Sequence, residues 1–237
     1  MHLIKLYMTL IGSHAYGLAT PESDIDFRGV CIPDDLSYFF GLRHFEQELG
    51  PKSEDTVSWT LQKFANMTSK ANTQTLEMLF STEDCIRYVH PVFKQNFLDN
   101  RTKFVTKEIY NAVGGYAFSE YRKSLGETTG KLGKIRKEDL AQHGYSKRNA
   151  SHCIRLMHAG SVALSTGVFP VRLYDAQLWL CRSLKAGEVT LETYKDFYKD
   201  YKNRLDSAYE KSTLPEAVDF DWLNKMCVQT IEKTITL

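Results

Sequence analysis

Residues 11–29 read IGSHAYGLATPESDIDFRG, and this stretch carries the clearest structural signal in the chain. An apolar run ends in Gly12-Ser13, and ten residues later the chain reaches the Asp-x-Asp pair formed by Asp24 and Asp26. The residues before the glycine and after the second aspartate are mainly apolar, which is typical of strands. The pattern therefore predicts two strands joined by a turn, with both carboxylates inside the second strand.

The paired carboxylates indicate a site for a divalent cation. Residues i and i+2 of a strand face the same side, so Asp24 and Asp26 would point together. Mg²⁺ prefers oxygen ligands, typically one or two carboxylates plus substrate phosphates, so the pair predicts nucleoside triphosphate chemistry. Gly12 allows the backbone to approach a phosphate, and Ser13 can donate its hydroxyl. A common turn with a solvated acidic loop is the alternative; burial of both carboxylates in a strand favours function.

The periodicity of apolar residues predicts an α+β fold. Strand patterns occur at residues 6–11, 25–32 and 56–61, which predicts a small mixed sheet. After Thr60 the apolar period becomes that of a helix, so the remainder of the chain is expected to be mainly helical. One helix is predicted to begin after Thr190, and we interpret its stripe of tyrosines as core and not as a base-stacking platform.

The composition is that of a folded globular protein, with 43% hydrophobic and 25% charged residues. No stretch of about 18 consecutive apolar residues is present, and the N-terminus shows no cleavable signal pattern, so we expect a cytoplasmic protein that does not bind membranes. The five cysteines form no Cys-x-x-Cys motif. They are expected to be reduced core residues, without a disulfide framework or a zinc site.

The net charge of +1 conceals an uneven distribution. Residues 121–148 carry eight basic and three acidic side chains, a local charge of +5, together with four glycines and few large apolar residues. We predict a flexible basic segment that can follow a phosphate backbone. A linker that is merely soluble is the alternative.

The motif of residues 11–29 resembles that of the DNA polymerase β nucleotidyltransferase superfamily: a hydrophobic strand, Gly-Ser, about ten residues and Asp-x-Asp. More narrowly, the chain is similar to predicted nucleotidyltransferases associated with RNA ligases in RNA-repair operons and in phages. The similarity continues through residues 61–64, 70–72, 76–80, 144–156 and 212–216. It implies a polymerase-β-type catalytic domain over residues 1–105, with a small mixed sheet, and a mainly helical C-terminal domain over residues 106–237.

The resemblance also implies a third carboxylate on a neighbouring strand, and it points to Asp55. Strand alternation disagrees, because Asp55 shares a face with the apolar Val57 and Trp59, whereas Glu54 shares a face with Thr56 and Ser58. We choose Asp55, because a residue at a strand end can escape alternation through a bulge. Glu54 is the alternative.

Four further residues are candidates for binding phosphates. Arg28 lies on the face of Asp26, where it could neutralise phosphate charge or pair with a local carboxylate. Lys63 has the same two alternatives. His152 and Arg155 are three residues apart on a predicted helix and therefore adjoin one another. They would hold a triphosphate or an RNA end, unless they belong to a solvated basic face.

These observations predict a metal-dependent nucleotidyltransferase. Asp24, Asp26 and Asp55 would bind two Mg²⁺ ions, with Mn²⁺ as the alternative metal. A nucleoside monophosphate would pass from a triphosphate such as ATP or CTP to an RNA end, tRNA in particular, in the cytoplasm of a bacterium or a phage-infected cell. A protein AMP-transferase of toxin–antitoxin type and a catalytically silent nucleotide- or RNA-binding module are the alternative functions.

Overall fold

The computed structural model describes residues 2–50, 55–127, 131 and 133–235. The α+β class is confirmed, because a five-stranded mixed sheet in the N-terminal part is followed by a mainly helical region. The chain divides into two compact units. The first comprises Met1–Thr106 and Glu216–Leu237, and the second comprises Lys107–Pro215.

The sheet has the strand order β3-β4-β2-β1-β5. Its strands are β1 (Leu3–Ile11), β2 (Asp26–Pro33), β3 (Gln47–Leu49), β4 (Asp55–Thr60) and β5 (Ile86–Val89). β2 and β4 are parallel, and the other neighbouring strands are antiparallel. The three predicted strands correspond to β1, β2 and β4. The two edge strands were not predicted, because they are short and largely exposed and lack an apolar alternation.

Eleven α-helices lie in the described part of the chain. They are α1 (Gly12–Tyr16), α2 (Ser37–Phe40), α3 (Leu61–Ser69), α4 (Thr73–Leu79), α5 (Pro91–Phe93), α6 (Glu108–Ser124), α7 (Lys134–His143), α8 (Lys147–Thr166), α9 (Asp175–Ala186), α10 (Leu191–Lys211) and α11 (Phe220–Thr234). α3 begins where the period changes, and the Thr60 side chain caps it by accepting a hydrogen bond from the Lys63 N–H. No described helix is long and apolar enough to cross a membrane.

A column of aromatic rings forms the core of the first unit. Phe93 stacks between Tyr7 and Phe97, with centroid distances of 5.2 and 4.9 Å. Phe104 continues the column and meets Trp222 of α11 edge to face at 5.4 Å. The last helix is therefore part of the first unit, whereas the predicted boundaries placed it with residues 106–237.

The second unit is built around α8, which packs against α6, α9 and α10. Gly160 permits the closest approach, because a Cβ there would lie 2.8 Å from Val113 of α6 and 3.0 Å from Leu205 of α10. α10 begins after Thr190, whose hydroxyl accepts a hydrogen bond from the Thr193 N–H, as predicted. Tyr194 and Tyr201 are buried, Phe197 and Tyr198 are half-buried, and Tyr209 is exposed, so the stripe contributes to the core mainly through its two buried tyrosines.

The prediction of a flexible segment at residues 121–148 is wrong for most of its length. α6 extends to Ser124, α7 occupies Lys134–His143, and α8 begins at Lys147; residues 128–130 and 132 lie outside the described part. This region has few large apolar residues, which is why its composition suggested a linker, and buried polar contacts help to hold it. The buried Asp139 carboxylate, for example, accepts the Lys147 N–H at 3.1 Å and pairs with its ammonium group at 3.5 Å.

Four of the five cysteines lie in the core, as predicted, and Cys227 is half-buried. All five are free thiols, and Cys31, Cys85, Cys153 and Cys181 are buried. Burial raises the pKa of Cys31 and of Cys227 to about 12, so these thiols stay protonated at neutral pH.

Candidate active site

The turn from β1 into α1 places the backbone against a carboxylate. Ile11, the last residue of β1, pairs with Asp26 across the antiparallel ladder. Gly12 follows with φ of +69°, a conformation that L side chains rarely adopt, and a Cβ at this position would lie 2.9 Å from Oδ2 of Asp26. Gly12 is therefore required both by its backbone conformation and by the space that Asp26 occupies.

Local hydrogen bonds order the connection between Gly-Ser and Asp-x-Asp. The Leu18 N–H donates to the Ser13 carbonyl at 2.8 Å, which closes α1 at the left-handed Gly17. The His14 ring donates from Nε2 to the Ser23 carbonyl at 3.4 Å. These contacts join the two ends of the motif, so the ten intervening residues form a closed loop that leads directly to the carboxylates.

The two aspartates do not both lie inside an apolar strand, so that expectation is wrong. β2 begins at Asp26, and Asp24 precedes it as an exposed residue. Ile25 between them is 56% exposed and lies outside β2. Asp26 is half-buried. The two side chains consequently have different environments, with Asp26 the more buried carboxylate.

The register of β2 and β4 brings Asp55 beside Asp26. The two are direct partners in the parallel ladder, and the following pairs, Arg28 with Val57 and Val30 with Trp59, continue without a shift. Because alternation is regular in both strands, the face of Asp26 is the face of Val57 and Trp59. The expectation that Thr56 and Ser58 mark the carboxylate face is wrong, and no bulge is needed. The alternative, Glu54, lies outside the described residues.

The electrostatics of this corner follow from the two adjacent carboxyl groups. Burial, followed by the charge and hydrogen bond of Asp55, raises the pKa of Asp26 above its ordinary value, and Arg28 opposes that shift. The Arg28 guanidinium bonds Oδ1 of Asp55 at 3.2 Å and its carbonyl at 3.1 Å. Of the two interpretations of Arg28, the structure shows the local ion pair, and this pair places a cation directly beside the carboxylates.

The donor atoms of this corner fit a hard cation. Among the residues that the structure describes, no three His, Cys, Asp or Glu side chains form a complete metal site. The two partner carboxylates, Asp26 and Asp55, are oxygen donors, and Mg²⁺ commonly takes one or two protein carboxylates and completes its shell with waters and substrate phosphates. Burial and the charge of Asp55 raise the pKa of Asp26, and a divalent cation between two such carboxylates relieves their repulsion.

Comparison with known proteins agrees with this geometry. The model of the family described as RlaP, RNA repair pathway DNA polymerase beta family, matches residues 2–229. The chain belongs to this family. It is thus a member of a polymerase-β-type nucleotidyltransferase family of RNA repair, as the motif predicted.

A phage protein shows a partial likeness to this RlaP-family chain. Over 124 residues the chain is 24% identical to the uncharacterized 38.9 kDa protein in the nrdC-mobD intergenic region of Enterobacteria phage T4. The match covers 47% of the chain and 35% of the phage protein. The chain therefore spans about a third of the length of this curated relative.

Lys63 of the RlaP-family chain is not brought to the carboxylates. Its ammonium group bonds Oε2 of Glu46 at 2.9 Å and the Gln47 side-chain oxygen at 3.0 Å. Lys63 lies three residues after Thr60 at the end of β4. Thr60 pairs with Cys31, which is five residues further along β2 than Asp26. At ~3.3 Å per residue the separation along the strand is ~17 Å. Of the two alternatives for Lys63, the structure shows the local ion pair.

His152 and Arg155 lie in the second compact unit and adjoin one another on α8, as predicted. Arg155 donates from Nη2 to Nδ1 of His152 at 3.2 Å, and Arg155 is only 1% exposed, so the alternative of a solvated face is wrong. Burial, followed by the charges of Arg155, Arg148 and Lys123, lowers the pKa of His152 to about 2. The imidazole is therefore neutral, and the cation of this pair is Arg155. Phosphate binding by the pair stays a prediction.

This buried imidazole predicts a pH dependence of stability. The unfolded chain takes up a proton near pH 6.5 and the folded His152 does not, so protonation stabilises the unfolded state as the pH falls below about 6.5. Between pH 7 and pH 5 we expect this residue to cost about 2 kcal/mol of unfolding free energy. The decrease in unfolding free energy between pH 7 and pH 5, measured by urea denaturation, should be smaller in His152→Gln than in the wild type by that amount. The same substitution at the exposed His44 should leave the loss unchanged, and equal losses in both variants would contradict the assignment.

The sequence reasoning missed one contact that supports the motif. The Tyr16 hydroxyl at the end of α1 donates to Oε2 of Glu77 at 2.7 Å, and Glu77 on α4 is 4% exposed. The signal was present in the sequence, because Glu77 is the single charged residue within the apolar run of residues 76–80. The contact anchors α1, and with it the turn that carries Gly12, to the core of the first unit.

Proposed function

We propose that this chain is a metal-dependent nucleotidyltransferase that transfers a nucleoside monophosphate from a triphosphate to a hydroxyl group at an RNA end. The observation that carries the proposal is the register pair of Asp26 and Asp55, with Gly12 packed against Asp26. Membership of an RNA-repair family supports the RNA acceptor. The combination places adjoining carboxylates beside a glycine turn at the edge where β2 and β4 begin.

Asp26 and Asp55 would hold Mg²⁺, with Asp24 as a further ligand from the preceding loop. The metal would supply charge neutralisation for the triphosphate and a lowered pKa for the attacking hydroxyl group. Gly12 and Ser13 would receive phosphate oxygens at the turn. Arg28, whose side chain is 14% exposed and lies beside Asp55, would add a fixed positive charge on the same face.

The reaction is an in-line displacement at the α-phosphorus. The acceptor oxygen forms a bond to this phosphorus, the bond to the bridging oxygen breaks, and pyrophosphate leaves with the electron pair. The proton of the hydroxyl group passes to a carboxylate, for which Asp55 is the better placed candidate because its side chain is 61% exposed. The protein contributes chiefly position and charge, as is usual in phosphoryl transfer.

The test is labelling of RNA by the purified chain. The protein is incubated with Mg²⁺, total RNA or tRNA, and each α-³²P-labelled triphosphate in turn, ATP and CTP first. We expect label on RNA with one or more triphosphates, its loss on removal of the metal with EDTA, and its return with Mg²⁺ or Mn²⁺. Label on protein bands alone would instead favour a protein AMP-transferase, and triphosphate binding without any transfer would favour a silent binding module.

A further inference from the structure

A second site is indicated by a cavity of about 550 Å³ in the first unit. Pro33 at the end of β2 and Thr60 at the end of β4 both line it. Asp26 and Asp55 begin these same parallel strands. The cavity is thus at the opposite end of the strands from the carboxylates, ~17 Å away along β4 at ~3.3 Å per residue. Its size is within the range of ~300–1,000 Å³ that is usual for small-ligand sites.

Aromatic rings form one wall of this cavity. Tyr38, Phe39 and Phe45 line it, and all three are half-buried. Tyr38 and Phe45 meet edge to face, with centroids 6.5 Å apart. The Arg43 guanidinium lies 5.8 Å from the centre of the Tyr38 ring and bonds Asp35 at 3.2 Å, so the ring is held from outside the cavity. A fixed and partly exposed aromatic wall suits a planar, aromatic ligand group.

The other wall is polar and carries positive charge. α3 contributes Gln62, Lys63 and Asn66 to the lining, and Lys70, the residue after the helix, also lines it. Lys63 is neutralised by Glu46, but Lys70 is exposed and makes no ion pair within the described part of the chain. The exposed amides of Gln62 and Asn66 can donate and accept hydrogen bonds at a base edge. The excess positive charge of this wall is therefore at Lys70.

We propose that this cavity binds one nucleotide unit of a single-stranded RNA, with the base against Tyr38 and Phe45 and a phosphate at Lys70. Aromatic stacking combined with a nearby cation is the recurring means by which proteins hold single strands. The proposal rests on the proposed function, because an RNA acceptor would need contacts outside the reacting corner. It assigns the strand a second point of attachment, at the far end of β2 and β4.

The test measures RNA binding at several salt concentrations. A fluorescein-labelled, ten-nucleotide single-stranded RNA is titrated with the full chain and followed by anisotropy. Phe45→Leu, which removes the ring and keeps an apolar side chain, should weaken binding about tenfold at every salt concentration. Lys70→Gln should weaken binding and reduce the slope of log K against log salt by about 0.7, the value for one phosphate of a single strand. Phe40→Leu is the matched control, because Phe40 is 87% exposed and does not line the cavity.

A photocrosslink locates the contact. RNA that contains 4-thiouridine should crosslink to a peptide within residues 38–45, and less so in Phe45→Leu. Affinities of Phe45→Leu and Lys70→Gln equal to that of Phe40→Leu would overturn the proposal. Lys70 is exposed, so its variant should fold and this outcome is decisive. If the chain binds a free nucleoside monophosphate, if Phe45→Leu and Lys70→Gln weaken that binding, and if it does not bind RNA, the proposal is also overturned, and the cavity is a site for a free nucleotide.

The cavity and the proposed reaction can fail separately. Asp26→Asn should keep the RNA affinity and the crosslink, because Asp26 lies at the other end of β2. RNA binding that depends on Phe45 and Lys70, with no labelling of any RNA by the wild-type chain, would leave the cavity assignment in place and contradict the proposed transfer. Labelling of RNA that depends on Asp26, with no effect of Phe45→Leu or Lys70→Gln on RNA affinity, would support the proposed transfer and contradict the cavity assignment.

Discussion

Replacement of Asp26 by Asn is expected to lower RNA labelling by on the order of 10²–10³-fold or more, the usual loss when one charge-stabilising group is removed from an active site. The change keeps the shape of the side chain and removes the charge that would hold the metal. It also removes the burial cost of the Asp26 charge and its repulsion with Asp55, which together raise the pKa of Asp26, so the free energy of unfolding should stay the same or rise. The measurement is the initial rate of label transfer, together with a urea denaturation curve.

Asp99→Asn is the matched control for this substitution. Asp99 is a half-exposed carboxylate of the same unit that pairs with Lys94 at 2.7 Å, far from the Gly-Ser turn in sequence. Its loss should leave the labelling rate within about twofold of wild type, since an exposed ion pair contributes little. Asp55→Asn should resemble Asp26→Asn, and the double variant should be no worse than either, because the two act as one unit. A rate for Asp26→Asn equal to that of Asp99→Asn would contradict the proposed active site.

Gly12→Ala is expected to lower the labelling rate about 100-fold. The new Cβ would lie 2.9 Å from Oδ2 of Asp26, closer than such atoms approach, so the carboxylate must move. A displacement of this kind near 1 Å can cost ~10²-fold in rate when geometry is critical. The positive φ of residue 12 adds a cost in stability of ~1–2 kcal/mol for any L side chain.

Gly167→Ala separates these two effects. Gly167 has φ of +73°, and a Cβ there would meet only Leu214, at 3.8 Å, so this variant carries the backbone cost without a collision. We expect Gly12→Ala to lose at least as much stability as Gly167→Ala in urea denaturation, and only Gly12→Ala to lose transfer. If the two variants keep the same labelling rate, the contact between Gly12 and Asp26 does not position the carboxylate.

The part of the fold that could be predicted was the part with strong local signals. The strand before Gly12 and the helix after Thr190 were predicted because period and capping agree there. β3 and β5 could not be predicted, since edge strands are fixed by partners remote in the sequence. The helix over Lys134–His143 has almost no apolar face, and it is held by polar contacts such as that of Asp139 with Lys147, which composition does not show.

The candidate site could be predicted in its members more than in its geometry. The spacing of the motif predicted Gly12 and Asp26 as site residues. The pairing of β2 with β4 explains why Asp55 lies beside Asp26, although the alternation of polar and apolar residues in β4 favoured Glu54. That argument failed because it assumed which face of β4 carried the carboxylates, and the face depends on pairing with β2. Lys63 was misplaced for a related reason, as the chain continues for the length of a strand before it reaches α3.

The position of α11 has a consequence for how the chain folds during synthesis. Trp222 completes the aromatic column of the first unit, yet it is translated after the whole of Lys107–Pro215. At ~5–20 residues per second the ribosome needs on the order of 5–20 s for that insertion. The two ends of this insertion meet at the hydrogen bond from the Lys107 N–H to the Pro215 carbonyl, 2.9 Å long, so the inserted helices have every residue they need at the end of this interval, before Trp222 is translated. Until Trp222 is translated, Phe104 lacks this edge-to-face partner. Translation of the first unit therefore begins before that of the second unit and ends after it.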